Sequence, residues 1–229
     1  MNNMKSSMKQ QSGFTLIEIA IVLVIIGLLL GGVLQGQQLI ENSRVRAAIN
    51  DFEGIPAALF SYQDRYGRLP GDDGPTATLT ARGAAWAPGG TTITAGNLNG
   101  IIDVTAANAF NGGGELAPMF QMLRAAGFIP GNPATTAAAA LPQNAFGGLT
   151  GFTNAAVMGT APNTLQGNKI CMSNVPGTAA IALDTQLDDG DGRTGRFRGT
   201  LGAGVTAPAA AVLGAAYTED AFYTVCFRI

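Results

Sequence analysis

The N-terminal part of the chain is dominated by one long apolar run that follows a short polar leader. The leader, residues 1–13, contains two lysines and no acidic residue, and the apolar run covers residues 14–34. A helix that crosses a bilayer needs roughly 20 predominantly apolar residues. We therefore expect residues 14–34 to form a membrane-spanning helix.

A second apolar pattern predicts that this helix continues beyond the membrane segment. Apolar side chains recur there at steps of three or four, which is the spacing of one helix face. The members of this stripe are Val45, Ile49, Phe52, Ile55, Leu59 and Tyr62. We predict a single helix over 14–66, with a kink at Pro56 because proline cannot donate a helical hydrogen bond. Gly67, followed by Pro70, predicts where the helix ends.

The remaining pattern, over residues 67–229, predicts an α+β head of short helices and antiparallel strands. Helices are expected over 115–126 and 176–187. Apolar runs bounded by turn-forming residues predict strands. These predicted strands are 155–158, 169–172 and 222–229. The stretches 75–97 and 132–151 are rich in alanine, threonine and glycine, and we expect them to be surface loops.

Composition and motifs argue against several classes of function. The chain has 13 basic and 15 acidic residues; without the leader's two lysines the balance is 11 against 15, a net charge of −4. That charge does not suggest a nucleic-acid-binding surface. The chain has no histidine, which removes the commonest general base and transition-metal ligand. Nucleophile-elbow, Walker and dinucleotide-binding motifs are also missing, so we predict that the protein is not an enzyme; an aspartate-pair hydrolase is the alternative.

The start of the apolar run carries an unusual combination of residues, Gly13-Phe14-Thr15-Leu16-Ile17-Glu18. An acid near the centre of a membrane helix costs on the order of 3 kcal/mol, and less towards its end. An ordinary secretory signal ends in a small-x-small cleavage site, which residues 31–36 fit poorly. A plain membrane anchor would require neither the glycine–phenylalanine junction nor Glu18. These two interpretations are the alternatives to a specific role for the segment.

This segment resembles the signature of the type IV pilin and type II secretion pseudopilin family. The resemblance implies that a prepilin peptidase cleaves after Gly13 and that Phe14 becomes the methylated N-terminus. It also implies that Glu18 pairs with the N-terminal amine of a neighbouring subunit. At about 4 Å and an effective dielectric constant near 20, such a pair is worth roughly 4 kcal/mol before desolvation. The junction at 66–72, Tyr-Gly-Arg-Leu-Pro-Gly-Asp, resembles the family's helix-to-head motif.

The resemblance implies a ladle-shaped structural subunit with a periplasmic head. It would be held in the bacterial inner membrane and then assembled, on an inner-membrane platform, into a homo- or hetero-polymer of pilin-like subunits. The alternative is a minor or tip pilin that acts as a binding or adhesion module through the loop around Trp86 or the alanine- and glycine-rich insertions. A type IV pilus, a secretion pseudopilus and a DNA-uptake filament are all compatible with these features.

The chain has two cysteines, Cys171 and Cys226, which both lie in predicted strands late in the head. Type IV pilins commonly join C-terminal cysteines, so the resemblance implies a disulfide between them. An oxidising periplasm would preserve that bond. Two buried free thiols are the alternative.

Acidic residues provide the candidates for a cation site, and no other cofactor is expected. Segment 96–103 has oxygen-bearing side chains at alternate positions, as in an EF-hand loop. Alanine stands at the first and last ligand positions there, so a polar turn is the favoured interpretation. The stronger calcium candidate is the set of aspartates around the end of the 176–187 helix: Asp184, Asp188, Asp189 and Asp191. The alternative is a solvated acidic turn held by nearby arginines, and a solvated turn is also expected for Asp72 and Asp73.

Overall fold

The structure is a computed structural model that describes residues 15–159, 163–209 and 213–229. The chain divides into two compact units, Met1–Asn42 and Ser43–Ile229. The first unit is helical throughout its described part except at Thr15. The second unit contains the remainder of that helix, a four-stranded sheet and three shorter helices.

Helix α1 covers Leu16–Tyr66. Its apolar N-terminal side chains are exposed, with Leu16 90% and Leu28 73% accessible. Among the described residues, α1 is the one helix that is long and apolar enough to cross a membrane. Its most apolar 18-residue window has a mean hydropathy of 2.8 and no buried residue. Helix α1 also continues through Pro56, so this proline removes one hydrogen-bond donor without ending the helix.

The C-terminal part of α1 packs its apolar stripe into the head core, as the spacing predicts. The buried positions are Val45, Ala48, Phe52, Ile55, Ala58, Leu59 and Tyr62. Ile49 is half-buried against the same core. The helix ends at Gly67, which has a φ of 67° and donates its N–H to the Gln63 carbonyl at 2.8 Å. Glycine adopts this left-handed conformation without steric cost.

Within the described residues, the head has three further α-helices: α2 (Thr76–Ala81), α3 (Leu116–Ala125) and α4 (Gly177–Leu187). Helices α3 and α4 lie where the sequence predicts them. Short 3-10 turns cover Ala84–Trp86, Pro88–Gly90, Ala106–Asn108 and Ala137–Ala140.

The sheet has four antiparallel strands in the order β1-β2-β4-β3. These strands are β1 (Thr150–Thr153), β2 (Lys169–Pro176), β3 (Phe197–Leu201) and β4 (Phe222–Arg228). A long N-terminal apolar helix together with a head built on an antiparallel sheet confirms the predicted α+β class.

Two details of the predicted sheet are wrong. Residues 155–158 do not form a strand; Val157 makes only an isolated bridge with Leu165. Strand β1 instead comes from Thr150–Thr153, which begins inside the loop expected over 132–151, and β3 was not predicted. Both strands are short and contain glycine, which weakens the local strand signal. Pairing with the longer strands β2 and β4 therefore determines their conformation.

Aromatic rings connect α1 to the rest of the head. Phe52 is fully buried and makes edge-to-face contacts with Phe197 and Phe227, at centroid distances of 5.6 and 5.9 Å. Further along the helix, Tyr62 packs near Trp86 at 6.1 Å. Trp86 is 3% exposed, so this ring holds the 75–97 segment against the core.

The expectation of a solvated turn at Asp72 and Asp73 is wrong, because both residues are buried. Asp73 forms an ion pair with Arg82 at 2.6 Å and accepts a hydrogen bond from the Tyr62 hydroxyl at 2.7 Å. The Arg82 guanidinium also lies 4.3 Å from the centroid of the Tyr66 ring. A buried charge is tolerated when it is paired and hydrogen-bonded, which explains why this turn is part of the core.

Candidate functional site

The N-terminal candidate site extends across the edge of the described residues. Gly13 and Phe14, the predicted cleavage and methylation positions, lie outside the described residues, as does the predicted leader. The description begins at Thr15, directly before helix α1. The part of the site that can be described is therefore the start of the helix and Glu18.

Thr15 and Glu18 form a reciprocal pair at the beginning of α1. The backbone N–H and the side-chain hydroxyl of Thr15 each donate to Glu18 Oε2, at 2.8 Å. The Glu18 N–H approaches Thr15 Oγ1 at 3.4 Å. This arrangement is a capping box, in which the residue before the helix and the third helical residue satisfy each other's backbone donors.

The capping box has two chemical consequences. A carboxylate in the first turn of a helix is favoured by the helix dipole, so Glu18 stabilises the start of α1. Its second oxygen, Oε1, has no hydrogen-bond partner among the described residues. The Thr-x-x-Glu spacing is the known signal for this local role, whereas Glu18 was predicted only as an assembly residue.

The two cysteines form the predicted disulfide. Cys171 in β2 and Cys226 in β4 are register partners in adjacent antiparallel strands, and their Cα atoms are 4.0 Å apart. Both are fully buried. The bond closes a loop with a sequence separation of 55 residues. This loop includes α4, the acidic segment from Asp184 to Asp191, and β3.

The acidic segment brings three of its four predicted aspartates together. One carboxylate oxygen from each of Asp184, Asp188 and Asp189 lies within 4.8 Å of the others. Asp191 is not part of this group, because its carboxylate holds Arg193 in an ion pair at 2.6 Å. The predicted set of four is therefore reduced to three. Among the described residues, Asp191 forms the ion pair with an arginine, and Asp188 accepts the backbone N–H of Arg196.

Asp184 differs from the other two aspartates in its burial. Its residue is fully buried, and its Oδ1 accepts the Gly190 N–H at 3.0 Å. Its Oδ2 is buried without a hydrogen bond of normal geometry, as is the Tyr217 hydroxyl beside it. Burial raises the pKa of the Asp184 carboxyl to about 6, although the Gly190 N–H and the Tyr217 hydroxyl oppose the shift. Three convergent carboxylates with one unsatisfied buried oxygen have the chemistry of a hard-cation site.

In the EF-hand-like segment 96–103, backbone N–H groups donate hydrogen bonds to the nearby carboxylates of Asp72 and Glu115. Asp72 accepts the Asn99 and Gly100 N–H groups at 3.0 and 2.7 Å. Glu115 accepts the N–H groups of Asn97 and Asp103 at 3.1 and 2.8 Å. The carboxylates therefore fix the fold of this loop, in agreement with the polar turn favoured by the sequence.

Comparison with known proteins identifies the N-terminal segment. Residues 8–34 match the family model described as the prokaryotic N-terminal methylation motif. No curated protein matches the chain. This motif implies processing by a prepilin peptidase and assembly into pilus-like polymers, and it is typical of structural rather than catalytic proteins. Together with the exposed apolar helix, the motif fits membrane anchoring and supports a prepilin-type protein, consistent with the type IV pilin and pseudopilin family.

Proposed function

We propose that this protein is the structural subunit of a type IV pilus or a related pseudopilus. The observation that carries the proposal is the combination of the methylation motif with a helix whose apolar side chains are exposed in the isolated chain. Such a surface must be covered by lipid or by other subunits, because water does not solvate it favourably. Polymerisation through this helix would cover it after the chain leaves the membrane.

The proposed assembly step depends on Glu18. In a filament core of low dielectric, its carboxylate would pair with the amine of Phe14 in a neighbouring subunit, after cleavage behind Gly13. Glu18 supports this role by its position in the first turn of α1 and by its unengaged Oε1 atom. The pair would also set the axial register between subunits, because a single stagger brings the two charges together.

The proposal places the head in the periplasm and the helix in the bacterial inner membrane before assembly. The disulfide between Cys171 and Cys226 supports an oxidising compartment. No substrate chemistry is required for this function, and we propose that the protein is not an enzyme. Its partners would be the prepilin peptidase, an inner-membrane assembly platform and further pilin-like subunits.

Substitution of Glu18 tests the proposal most directly. We expect Glu18→Ala and Glu18→Gln to be cleaved after Gly13 but to lower the sheared-filament fraction by at least about tenfold, since a poorly screened ion pair is lost. The measurements are electron microscopy of sheared filaments and mass spectrometry of the membrane-bound chain. Glu53→Gln, at an exposed position further along α1, is the matched control and should assemble normally.

The results separate the two parts of the proposal. Normal filaments from Glu18→Ala would contradict the assembly role of this carboxylate while leaving the family assignment intact. A wild-type chain that keeps residues 1–13 in cells with active filaments would contradict the entire proposal.

A minor or tip subunit is the second candidate. It is favoured by an open cavity among the head loops, lined by residues of the 88–94, 112–121 and 134–137 segments. A major subunit would dominate purified filaments, whereas a tip subunit would be scarce. Quantitative mass spectrometry of purified filaments therefore distinguishes the two.

We also propose that the aspartate cluster of the head binds calcium. The supporting observations are the convergence of Asp184, Asp188 and Asp189 and the unsatisfied buried oxygen of Asp184. Calcium is coordinated by six to eight oxygen atoms, so backbone or water oxygens would complete the shell. Bound calcium would hold the end of α4 against the loop that leads into β3.

A further inference from the structure

A cavity of about 310 Å³ opens in the head between four loop and helix segments. Its walls come from the segments after Trp86 and before α3, from the first turns of α3, and from the loop that follows α3. The lining residues are Pro88, Thr91, Thr92, Thr94, Gly112, Gly114, Ala117, Pro118, Gln121, Ala134, Thr136 and Ala137. This volume is at the lower end of the range for small-molecule sites, about 300–1,000 Å³.

The chemistry of the lining restricts the class of ligand. None of the lining residues carries a charge, so the cavity does not provide the counter-ion that a phosphate, a carboxylate or an ammonium group needs. Four threonines contribute both a methyl group and a hydroxyl, and none of these four hydroxyls has a hydrogen-bond partner among the described residues. Each hydroxyl can donate one hydrogen bond and accept others.

Gln121 adds a positioned amide to the same wall. This side chain is 8% exposed, and its Nε2 donates to the Thr135 carbonyl at 2.9 Å. That bond fixes the amide orientation and leaves Gln121 Oε1 without a partner among the described residues. A carbonyl oxygen with free acceptor capacity at the cavity wall can accept a hydrogen bond from a ligand hydroxyl.

The cavity walls are held rigidly by contacts that the ligand would not have to create. Arg124 fixes the loop after α3 by donating to the Ala140 carbonyl at 2.5 Å and to the Thr135 hydroxyl at 3.2 Å. Gly112 lies so close to the Ala137 backbone that a Cβ atom there would overlap with it. Ala137 itself has a φ of 50°, a conformation uncommon for alanine that is found at functional sites more often than elsewhere.

We infer that this cavity is a binding site for an uncharged, hydroxyl-rich ligand of monosaccharide size. Alternating methyl and hydroxyl groups on the wall match the alternating C–H and O–H groups of a sugar ring. The rigid walls reduce the entropy cost of binding. This inference concerns the head alone, and it does not depend on whether the protein assembles as a major or a minor subunit.

The test is saturation-transfer difference NMR on the full chain in dodecylphosphocholine micelles, because common glycoside detergents would themselves occupy a sugar site. The probes are neutral hexoses, N-acetylhexosamines and inositol, with methyl phosphate and ethanolamine as charged comparisons. We expect saturation transfer to at least one neutral probe and none to the charged ones.

Two lining variants locate the site. Thr92→Val removes one hydroxyl at constant shape, and Ala117→Met fills the cavity from α3. We expect each to weaken binding at least about tenfold, the change that the loss of one hydrogen bond to a ligand can produce. Thr105→Val is the matched control, because Thr105 is exposed and does not line the cavity; it should bind normally. Near-UV circular dichroism verifies that each variant is folded.

Several outcomes would overturn the inference. These are no saturation transfer to any neutral probe, transfer to methyl phosphate or ethanolamine alone, and unchanged binding in folded Thr92→Val and Ala117→Met. A failure of filament assembly would leave these measurements unaffected, so the two proposals are tested separately.

Discussion

The two units of the chain use similar aliphatic residues in opposite ways. In the N-terminal unit, leucine, isoleucine and valine side chains of α1 are exposed, for example Leu28 at 73% and Leu30 at 60%. In the head unit, residues of the same types, such as Leu79, Leu116 and Ile170, are almost completely buried. The head therefore builds a core of its own, whereas the described aliphatic side chains near the start of α1 remain exposed.

This difference explains which interactions each unit needs. Burial of apolar area contributes about 25 cal/mol per Å², and the head gains this contribution by folding. The exposed part of α1 would gain it if lipid or other subunits cover the helix, as we propose. We therefore expect substitutions in the core of the head to lower its free energy of unfolding. Substitutions of exposed side chains in the N-terminal unit should leave that free energy nearly unchanged.

The largest expected effect comes from the helix that contributes to both units. Phe52→Ala should lower the free energy of unfolding of the head by about 3–5 kcal/mol, because a fully buried ring is replaced by a cavity. Leu28→Ala removes an exposed side chain of the same helix and should change that free energy by less than about 0.5 kcal/mol. Thermal unfolding in detergent micelles, followed by near-UV circular dichroism, measures both. Equal losses in the two variants would contradict the contrast between the units.

The disulfide should be the next largest contribution. Replacing both Cys171 and Cys226 by alanine removes a cross-link whose loop closure stabilises by about 4 kcal/mol in the chain-entropy model. The melting temperature of the head should fall, and reductant should lower the wild-type value but have no effect on the double variant. An unchanged melting temperature would show that the sheet and the core are sufficient without the cross-link.

Sequence patterns predict the parts of this fold whose signals are local and periodic. The stripe of α1 and the helix α3 were found because apolar residues repeat at three or four positions. The end of α1 was found because Gly67 is one of the few residues that suits a left-handed cap. The N-terminal motif was recognised because its residues are contiguous in the sequence.

Features that depend on distant partners were missed. The local sequence predicts a solvated turn at Asp73, because its partners Arg82 and Tyr62 are distant along the chain. Strand β3 is too short to be predicted without its partner β4. Among the aspartates, sequence gave no way to separate Asp191, which binds Arg193, from the three that converge.

The Asp73–Arg82 pair should have a smaller effect than the disulfide when one partner is changed. Asp73→Asn leaves the Arg82 charge partly buried and uncompensated, which should cost about 3 kcal/mol of head stability. Changing both residues, Asp73→Asn with Arg82→Met, should recover part of that loss because the unpaired charge is removed. A double-mutant cycle based on thermal unfolding tests this. Purely additive losses would contradict a direct interaction between the two side chains.

Substitution of Asp184 should have the smallest effect on the stability of the head. Its sign should be opposite to that of the substitutions above, because the variant should be more stable than the wild type. The folded pKa of about 6 lies above the ordinary value of 3.8, so the folded head binds this proton more tightly than the unfolded chain does. The ionised carboxylate therefore disfavours folding, and head stability should fall as the pH rises from about 4 through about 6. A pKa of about 6 instead of 3.8 corresponds to at most about 3 kcal/mol. Asp184→Asn removes this ionisation but also weakens the hydrogen bond from the Gly190 N–H, so the melting temperature above pH 6 should rise by about 2–4 °C, equivalent to about 1 kcal/mol.

If the aspartate cluster binds calcium, the ion should reverse the destabilising effect of Asp184 ionisation. Millimolar calcium would favour the ionised Asp184 and raise the melting temperature of the wild-type chain at pH 7.5, whereas Asp184→Asn should lose this increase. Asp191→Asn is the matched control, because Asp191 is engaged with Arg193 outside the cluster; it should keep the calcium response. If calcium leaves the wild-type melting temperature unchanged, the cluster is an acidic turn. If Asp184→Asn and the wild type respond equally, calcium binds elsewhere, because the buried carboxylate would then contribute nothing to its affinity.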